Sequence, residues 1–298
     1  MGGAAVAVWM AVGIAAISTA PILVRAAALP ALALAFWRCL AGALLLAPFA
    51  LRRPAGRLDR AERTLLLGAG PFLAVHFALF NASLSFTSVA SSATLVSCAP
   101  LFVGLGARLL GEPPTRRAWL GIALAIAGAV LIGLGDVGAG PAGAARAPLL
   151  GDLLAFAGAA AMAGYLLLGR AARRRLPVTT YAASVYGVAA AILLPACLLT
   201  GAQLGSYPAG SWLALAAIVA GPQLLGHTVF NGLLASVSAS VVAVAILTEP
   251  VGATALAWLL FGELPAATFW VGAPLVLAGV WLAATRQRAA VGAPAVAS

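Results

Sequence analysis

The sequence predicts an all-α integral membrane protein with ten transmembrane helices, arranged as an inverted five-plus-five repeat. Three observations support this fold class. The chain has 298 residues, of which 63% are hydrophobic and 8% are charged, whereas soluble domains carry about a quarter charged residues. Ten apolar runs are long enough to cross a bilayer. Residue patterns of the first half also return about 150 positions later in the second half.

Each apolar run has about 18 to 25 residues, which is the length a helix needs to cross about 30 Å of hydrocarbon. The first run resembles a secretion signal, but it lacks a basic start and continues as apolar sequence to Arg25, so we expect it to be retained. The connections are too short to fold as separate domains. The predicted spans are Gly2 to Val24, Pro30 to Leu51, Thr64 to Phe86, Val89 to Leu110, Ala118 to Gly135, Leu149 to Gly169, Val178 to Thr200, Trp212 to Ala235, Ser238 to Phe261 and Thr268 to Thr285.

The arginines predict the orientation of these helices. The chain has no lysine, and its 17 arginines outnumber the 7 acidic residues, which gives a formal net charge of +10. Only Arg25 and Arg146 lie in connections on one side, and Arg38 lies inside the second span. The other side holds Arg52, Arg53, Arg57, Arg60, Arg63, Arg108, Arg116, Arg117, Arg170, Arg173, Arg174, Arg175, Arg286 and Arg288. By the positive-inside rule we expect both termini in the cytoplasm and the protein in the cytoplasmic (inner) membrane. Arginines spaced between apolar runs also argue against a nucleic-acid partner.

An internal repeat predicts how the helices are organised. The repeated elements are Phe80-Asn81 with Phe230-Asn231, Pro100 with Pro250, Gly111-Glu112 with Gly262-Glu263, and Gly128 with Gly279. Because each half has five helices, an odd number, the second half enters the membrane from the opposite side. We expect one five-helix repeat in residues 1–135, a Gly-, Ala- and Pro-rich linker in 136–149, and the second repeat in 150–298.

These motifs resemble the drug/metabolite transporter superfamily, in its ten-helix EamA-type branch. The resemblance rests on the paired Gly-Glu turns, Pro100 and Pro250, the Phe36-Trp37-Arg38 stretch, and GYLLLGR ending at Arg170. It covers essentially the whole chain. The resemblance implies a transporter of small metabolites, often an exporter of amino acids or related compounds. One exporter branch is similar in having a histidine in the third helix, as His76 is here.

Glu249 is the charge around which we interpret the rest of the chain. It lies near the centre of the ninth span and is followed by Pro250, and a carboxylate in hydrocarbon is costly enough to indicate function. Helix rise places Arg38 at a similar depth, so the two charges could pair. Two alternatives stay open. The pair is a structural salt bridge, or Glu249 accepts a proton or a substrate amine while Arg38 serves as its counter-ion or as a carboxylate clamp.

Further candidates lie inside other spans. For substrate binding or proton coupling they are His76, His227, Trp9 and Tyr165; for gating or helix kinks they are Pro100, Pro250, Asn81, Asn231 and Pro21. A neutral histidine bonded to a backbone carbonyl, asparagines that hydrogen-bond between helices, and aromatic rings that pack in the core are the alternative, structural interpretations. We expect His227 nearer the cytoplasmic end of its helix than His76. Glu112 and Glu263 are expected to be structural, capping the helices that follow them.

The predicted function is a secondary transporter that exports amino acids or similar small polar metabolites by alternating access. No lysine-containing phosphate loop, HExxH or GxSxG motif is present, so we expect neither an ATP-driven pump nor an enzyme, and no cofactor or metal. The expected partners are a small-molecule substrate and the lipid bilayer, with a proton as candidate coupling ion and no required oligomer. Two alternatives are an intramembrane enzyme acting on a lipid or isoprenoid and a non-transporting scaffold. The sequence determines neither the substrate nor the direction.

Overall fold

The computed structural model of the chain describes residues 2–51, 58–83, 85–86, 92, 95–96, 98–136, 147–261 and 264–284. All the secondary-structure elements in these residues are helices, joined by loops. The helices are α1 (Gly3–Ser18 and Ala20–Ala27), α2 (Ala31–Leu51), α3 (Arg60–Ser83), α4 (Ala99–Leu110), α5 (Arg116–Asp136), α6 (Pro148–Arg173), α7 (Val178–Leu199), α8 (Ala209–Leu233), α9 (Ala239–Ile246 and Glu249–Phe261) and α10 (Phe269–Ala284). The predicted all-helical fold is therefore confirmed.

The outer surface of this bundle suits a bilayer. Within the described residues, seven helices are long and apolar enough to cross a membrane, and shorter apolar helices cover Ala99–Leu110 and Phe269–Ala283. Large apolar side chains are exposed rather than buried, including Leu109, which is 90% exposed, and Leu199, which is 88% exposed. In water such a surface would be costly, and in hydrocarbon it is the expected one. The chain is a multi-pass membrane protein.

Helices α5 and α10 show that the two halves are inverted relative to each other. A methyl group placed on Gly121 would lie 2.6 Å from the carbonyl oxygen of Gly279, and one on Gly128 would lie 2.6 Å from that of Gly272. Small residues permit this close backbone approach in membranes. The lower-numbered glycine on α5 meets the higher-numbered one on α10, so the helices are antiparallel. A shift of 151 positions exchanges the two contacts, as a pseudo-two-fold axis requires.

The other helix pairs obey the same pseudo-two-fold symmetry between the two halves. Helix α3 packs against α6, and its counterpart α8 packs against α1; α2 packs against its counterpart α7, and α4 against α9. Glycines again allow close contact between α1 and α8, where Gly13 lies against Phe230 and Gly226 against Ile17. The largest fully buried side chains include Tyr165, Tyr186 and Phe77, in the core formed mainly by α2, α3, α6 and α7.

Several sequence features lie outside the described residues. They are Arg52, Arg53, Arg57, Arg146, Arg286, Arg288, Gly262, Glu263 and residues 137–146 of the expected linker. The ninth span differs from the single helix that the sequence predicts, because Leu247 and Thr248 interrupt it. The proline that follows has no N–H to continue the helical ladder, so the backbone turns tightly before Pro250, with Thr248 N–H donating to the Ala245 carbonyl at 3.1 Å.

Candidate substrate site

Arg38 lies in the core of the bundle, on α2. The residue is 4% exposed. Its Nε donates to Oε1 of Gln223 at 2.8 Å, and its guanidinium carbon lies 3.9 Å from the centre of the Phe77 ring. A cation over an aromatic face is attracted by the ring quadrupole, and more so when water is excluded. The arginine is therefore held by a neutral amide and a ring.

The direct ion pair between Arg38 and Glu249 that the sequence allowed is not formed. Ion pairs within the described residues join Glu112 to Arg170 and Arg174, and Asp59 to Arg175. Arg38 and Glu249 are nevertheless close enough for each charge to act on the other. The two opposite charges thus belong to one region of the core but are not joined by a hydrogen bond.

Glu249 begins the second segment of α9, directly after the break. It is half-buried, although Leu247 and Thr248 just before it are buried. Its carboxylate makes no hydrogen bond with any residue that the structure describes. Ser18, beside the interruption of α1 at Thr19, lies against Gly252 one turn further along α9. The carboxylate is thus available to a ligand, next to two helices whose backbones are irregular, and irregular backbone at membrane depth is tolerated where it faces protein or a wet cavity.

Gln223 is a site residue that the sequence interpretation missed. It is fully buried and lies in a ten-residue π-helical stretch of α8, Val219–Thr228. π-Helical turns are rare and are found frequently at functional sites. A signal for this position was present in the sequence, since Gln223 is an uncharged polar residue directly after Pro222 inside an apolar run.

The two histidines lie on either side of Phe77. Nδ1 of His76 donates to the backbone carbonyl of Gly158 at 2.9 Å, which is the structural interpretation considered for it. The ring of His227 meets Phe77 edge to face, with centroids 5.2 Å apart, and the ring of His76 is 5.3 Å from Phe77. His227, which the sequence predicts nearer the cytoplasmic end of its helix, thus contacts the same ring as His76. A repeat missed in the sequence explains it, because Gly-Pro stands six and five residues before each histidine.

A chain of hydrogen bonds surrounds the site on α6, α7 and α8. Tyr165 donates its hydroxyl to Oδ1 of Asn231 at 2.6 Å, and Nδ2 of Asn231 lies 3.5 Å from the hydroxyl of Tyr186. That hydroxyl in turn lies 3.0 Å from Oγ1 of Thr228. Tyr165 and Asn231, two separate candidates from the sequence, are thus direct partners. Hydrogen bonds of this kind between membrane helices are a modest stabilising term.

The other candidates lie away from this cluster. Asn81 donates to the backbone carbonyl of Ala31, at the start of α2, at 3.1 Å. Trp9 is 45% exposed on α1 next to exposed Val8, so it is not the buried ring that the sequence suggested. Its position on the outer surface suits contact with lipid.

The three candidate prolines share one structural position. Pro21, Pro100 and Pro250 each lie in the first turn of a helical segment. Pro21 and Pro250 follow the interruptions of α1 and α9, and Pro100 lies at the start of α4. Proline fits this position because the first N–H groups of a helix have no intrahelical partner.

A second buried arginine, Arg170, lies at the end of α6. Its Nη2 lies 2.9 Å from Oε1 of Glu112, its Nη1 donates to the carbonyl of Leu234, and Arg174 also binds Glu112. Burial acts to raise the pKa of Glu112, but its bonds to Arg170 and Arg174 outweigh burial and hold the pKa below its usual value. Glu112 does not cap α5 as expected, because Oγ1 of Thr115 accepts from the N–H of Ala118 at 3.1 Å and supplies the cap.

In the described residues, no group of three or more His, Cys, Asp or Glu side chains could hold a metal ion. The arrangement around Phe77 instead offers a cation, a separate carboxylate, two imidazoles and an amide within one buried region. Such a set can bind a small molecule through opposite charges and hydrogen bonds, and it can accept or release a proton.

Comparisons with known proteins agree that this chain is similar to transporters. Residues 4–134 and 149–285 each match the model of the EamA-like transporter family. The chain is 26% identical over 239 residues to the uncharacterized transporter YwfM of Bacillus subtilis (strain 168), covering 75% of this chain and 74% of that protein. It is 27% identical over 269 residues to an uncharacterized transporter of Archaeoglobus fulgidus, covering 89% and 91%.

A solved crystal structure shows the same fold. It superimposes with a TM-score of 0.80 at 20% sequence identity, over 98% of this chain and 100% of the other. At that identity the likeness concerns the fold alone. Because the family model matches both halves of the chain, this protein belongs to the EamA-like transporter family, within the drug/metabolite transporter superfamily.

Proposed function

We propose that this family member is a secondary transporter that exports amino acids or similar small polar metabolites across the cytoplasmic membrane by alternating access. The family and both relatives are named as transporters, which favours transport over enzymatic activity. The binding site is the buried region around Phe77. The two halves that rock around it are residues 1–135 and 150–298, joined by a linker at 136–149.

The observation that carries this proposal is the state of Glu249. A carboxylate with no hydrogen bond, beside a helix break and within reach of the charge of Arg38, is costly for a purely structural role. A substrate amine or a proton would satisfy it. Arg38 then serves as counter-ion or as a clamp for a substrate carboxylate, and His76 and His227 line the same region as candidates for proton coupling.

The arrangement of the halves supports alternating access. Substrate sites near the midplane, between inverted repeats and next to broken helices, are a recurrent design of secondary transporters. Helices α1 and α9 are both interrupted, at Thr19 and at Leu247 and Thr248, and these interruptions are the candidate hinges for the motion. The arginine distribution supports an orientation with both termini in the cytoplasm and the protein in the inner membrane. Ten helices enclose the site without an oligomeric partner.

The test is flux from proteoliposomes loaded with a mixture of amino acids and related metabolites, read by mass spectrometry with and without a pH gradient. The wild type is expected to release a few compounds selectively, and Glu249→Gln to release none of them while remaining a monodisperse, folded protein. Glu62→Gln is the matched control. Oε2 of Glu62 accepts from the N–H of Asp59 at the start of α3, and glutamine keeps that cap.

Each outcome is decisive. Selective release by the wild type and by Glu62→Gln, but not by Glu249→Gln, supports the proposal, and dependence on the gradient supports proton coupling. Unchanged flux in Glu249→Gln would rule out the role given to that carboxylate. Absence of selective release from wild-type protein under any gradient would overturn the proposed function itself.

A further inference from the structure

We propose that Arg38 and Gln223 form a carboxylate-binding subsite, in which Gln223 selects for substrates that carry a free carboxylate. This deepens the proposed function and rests on it. The inference starts from two donors. Nη2 of Arg38 and Nε2 of Gln223 are both enclosed by protein and have no hydrogen-bond partner, although Arg38 is 4% exposed and Gln223 is fully buried.

The contact between these two side chains determines which way the amide points. A guanidinium can only donate hydrogen bonds, so the amide atom that faces Nε of Arg38 at 2.8 Å must be the carbonyl oxygen. The amide nitrogen of Gln223 is therefore turned away from its partner. Covalent geometry keeps this nitrogen and Nη2 of Arg38 in one region, because each belongs to the same planar group, amide or guanidinium, as one atom of the short contact.

The chemistry of this pair fits a carboxylate. One positive charge and two unpaired donors match a planar monoanion with two acceptor oxygens. Phe77 covers one face of the guanidinium, so a ligand must approach it edge-on, as planar anions do. The carboxyl group of Glu249 also acts on Arg38, and a nearby carboxyl group disfavours a dianion such as phosphate more than a monoanion. Among the described residues, the other titratable groups around Arg38 are Cys39, His76, Tyr165, Tyr186 and His227.

Reaching the subsite requires the site to open. Both unpaired nitrogens have almost no accessible surface in this conformation, so no ligand touches them until helices move apart. Gln223 lies in the π-helical stretch of α8, against α2. A carboxylate that satisfies these donors only in the opened state favours that state, because a ligand shifts a conformational equilibrium by its difference in affinity for the two states. The two unpaired donors thus link substrate binding to the conformational change.

The experiment measures discrimination between matched substrates. Proteoliposomes with wild-type protein or Gln223→Met receive each of the proteinogenic amino acids, either as the free acid or as its C-terminal amide. Methionine keeps the approximate length of glutamine and removes its donors. The wild type is expected to prefer free acids by about tenfold or more, and Gln223→Met to lose most of this preference, read as the ratio of acid flux to amide flux in the same preparation.

Gln203→Met is the matched control, since Gln203 is an exposed glutamine in the loop before α8. This variant is expected to prefer free acids over amides as strongly as the wild type does. Equal preference for acids in Gln223→Met and wild type would overturn the subsite. Equal transport of acids and amides by the wild type would also overturn it, and would leave the transporter assignment intact. No selective flux in any sample instead contradicts the proposed function.

A second measurement does not depend on knowing the cargo. The apparent Tm of purified protein in detergent is followed as acetate replaces chloride at constant ionic strength and pH. The wild type and Gln203→Met are expected to gain stability with acetate, and Gln223→Met to gain none, because ligand binding to the native state raises Tm. A wild-type Tm that does not respond to acetate would contradict the subsite even if transport is observed.

Discussion

Two arginines are buried among the residues that the structure describes, and their hydrogen-bond partners are very different. Arg170, at the end of α6, binds the carboxylate of Glu112 through Nε and Nη2 and the carbonyl of Leu234 through Nη1. Arg38, in the middle of α2, has one hydrogen bond to the neutral amide of Gln223 and a contact with the ring of Phe77. The residues are 6% and 4% exposed, so burial does not distinguish them.

The difference lies in how completely each charge is compensated. Arg170 is fully paired, with a carboxylate and a carbonyl, and it ties the turn after α4 to the ends of α6 and α8. A buried donor without a partner costs about 1–3 kcal/mol, and Arg38 and Gln223 contribute two such donors. We interpret the Arg170 cluster as stabilising the fold and the Arg38 region as reserved for a ligand.

The largest expected effect is on transport in Arg38→Met. Transport should fall below detection, because the variant loses the cation of the proposed site. Apparent Tm should stay the same or rise, since replacing an incompletely paired buried charge by a well-packed apolar side chain is often neutral or stabilising. Flux and thermal stability of the same preparation measure both. Retained flux with a large fall in Tm would make Arg38 a structural residue like Arg170.

Arg170→Met should have the opposite signature. It leaves the Leu234 carbonyl unpaired and Glu112 with only the half-exposed Arg174. We expect a loss of about 2–3 kcal/mol in stability, seen as a clear fall in apparent Tm. Arg175→Met is the control, because Arg175 is 55% exposed and lies 3.7 Å from exposed Asp59; surface pairs of this kind contribute about 0–1 kcal/mol. Equal Tm values for the two variants would contradict the structural role.

The Glu112 cluster should also make stability depend on acid. The folded-state pKa of Glu112 is lowered by Arg170 and Arg174 against the opposing effect of burial. Its stabilising contribution is therefore complete above the unfolded pKa of about 4.3 and is lost as pH falls through the lower folded pKa. Wild-type Tm should fall more steeply than that of Glu112→Gln between about pH 5 and pH 3. Parallel Tm profiles for the two proteins would refute this.

The smallest expected effect is that of Tyr165→Phe. The variant loses the hydrogen bond from the Tyr165 hydroxyl to Asn231, which we expect to cost about 1 kcal/mol. Flux should remain close to wild type if this tyrosine only supports the site through Asn231. A loss of flux comparable to that of Glu249→Gln, at unchanged Tm, would instead make Tyr165 a substrate contact.

The sequence alone was sufficient for the architecture and for most members of the site. Apolar runs of this length predict membrane-spanning helices. The paired Gly-Glu turns and the pair Gly128 and Gly279 predicted an inverted repeat, which the contacts between α5 and α10 confirm. Charged and polar residues inside apolar runs are so unfavourable that Arg38, Glu249 and His76 were conspicuous. Gln223 was not predicted, because an uncharged amide inside an apolar run is less unfavourable than a charge, whereas His227 was among the predicted candidates.

What the sequence determined by itself is therefore the set of helices, their inverted arrangement, and which polar groups must be sheltered from lipid. Only the tertiary structure decided how those groups are bonded. Arg38 meets Gln223 across 185 positions of sequence, and Glu112 meets Arg170 across 58. Helical periodicity and depth place a side chain along one axis, but the partner it meets depends on the rotation and spacing of neighbouring helices. For this reason the depth estimate brought Arg38 and Glu249 to one level but did not identify Gln223 as the hydrogen-bond partner of Arg38.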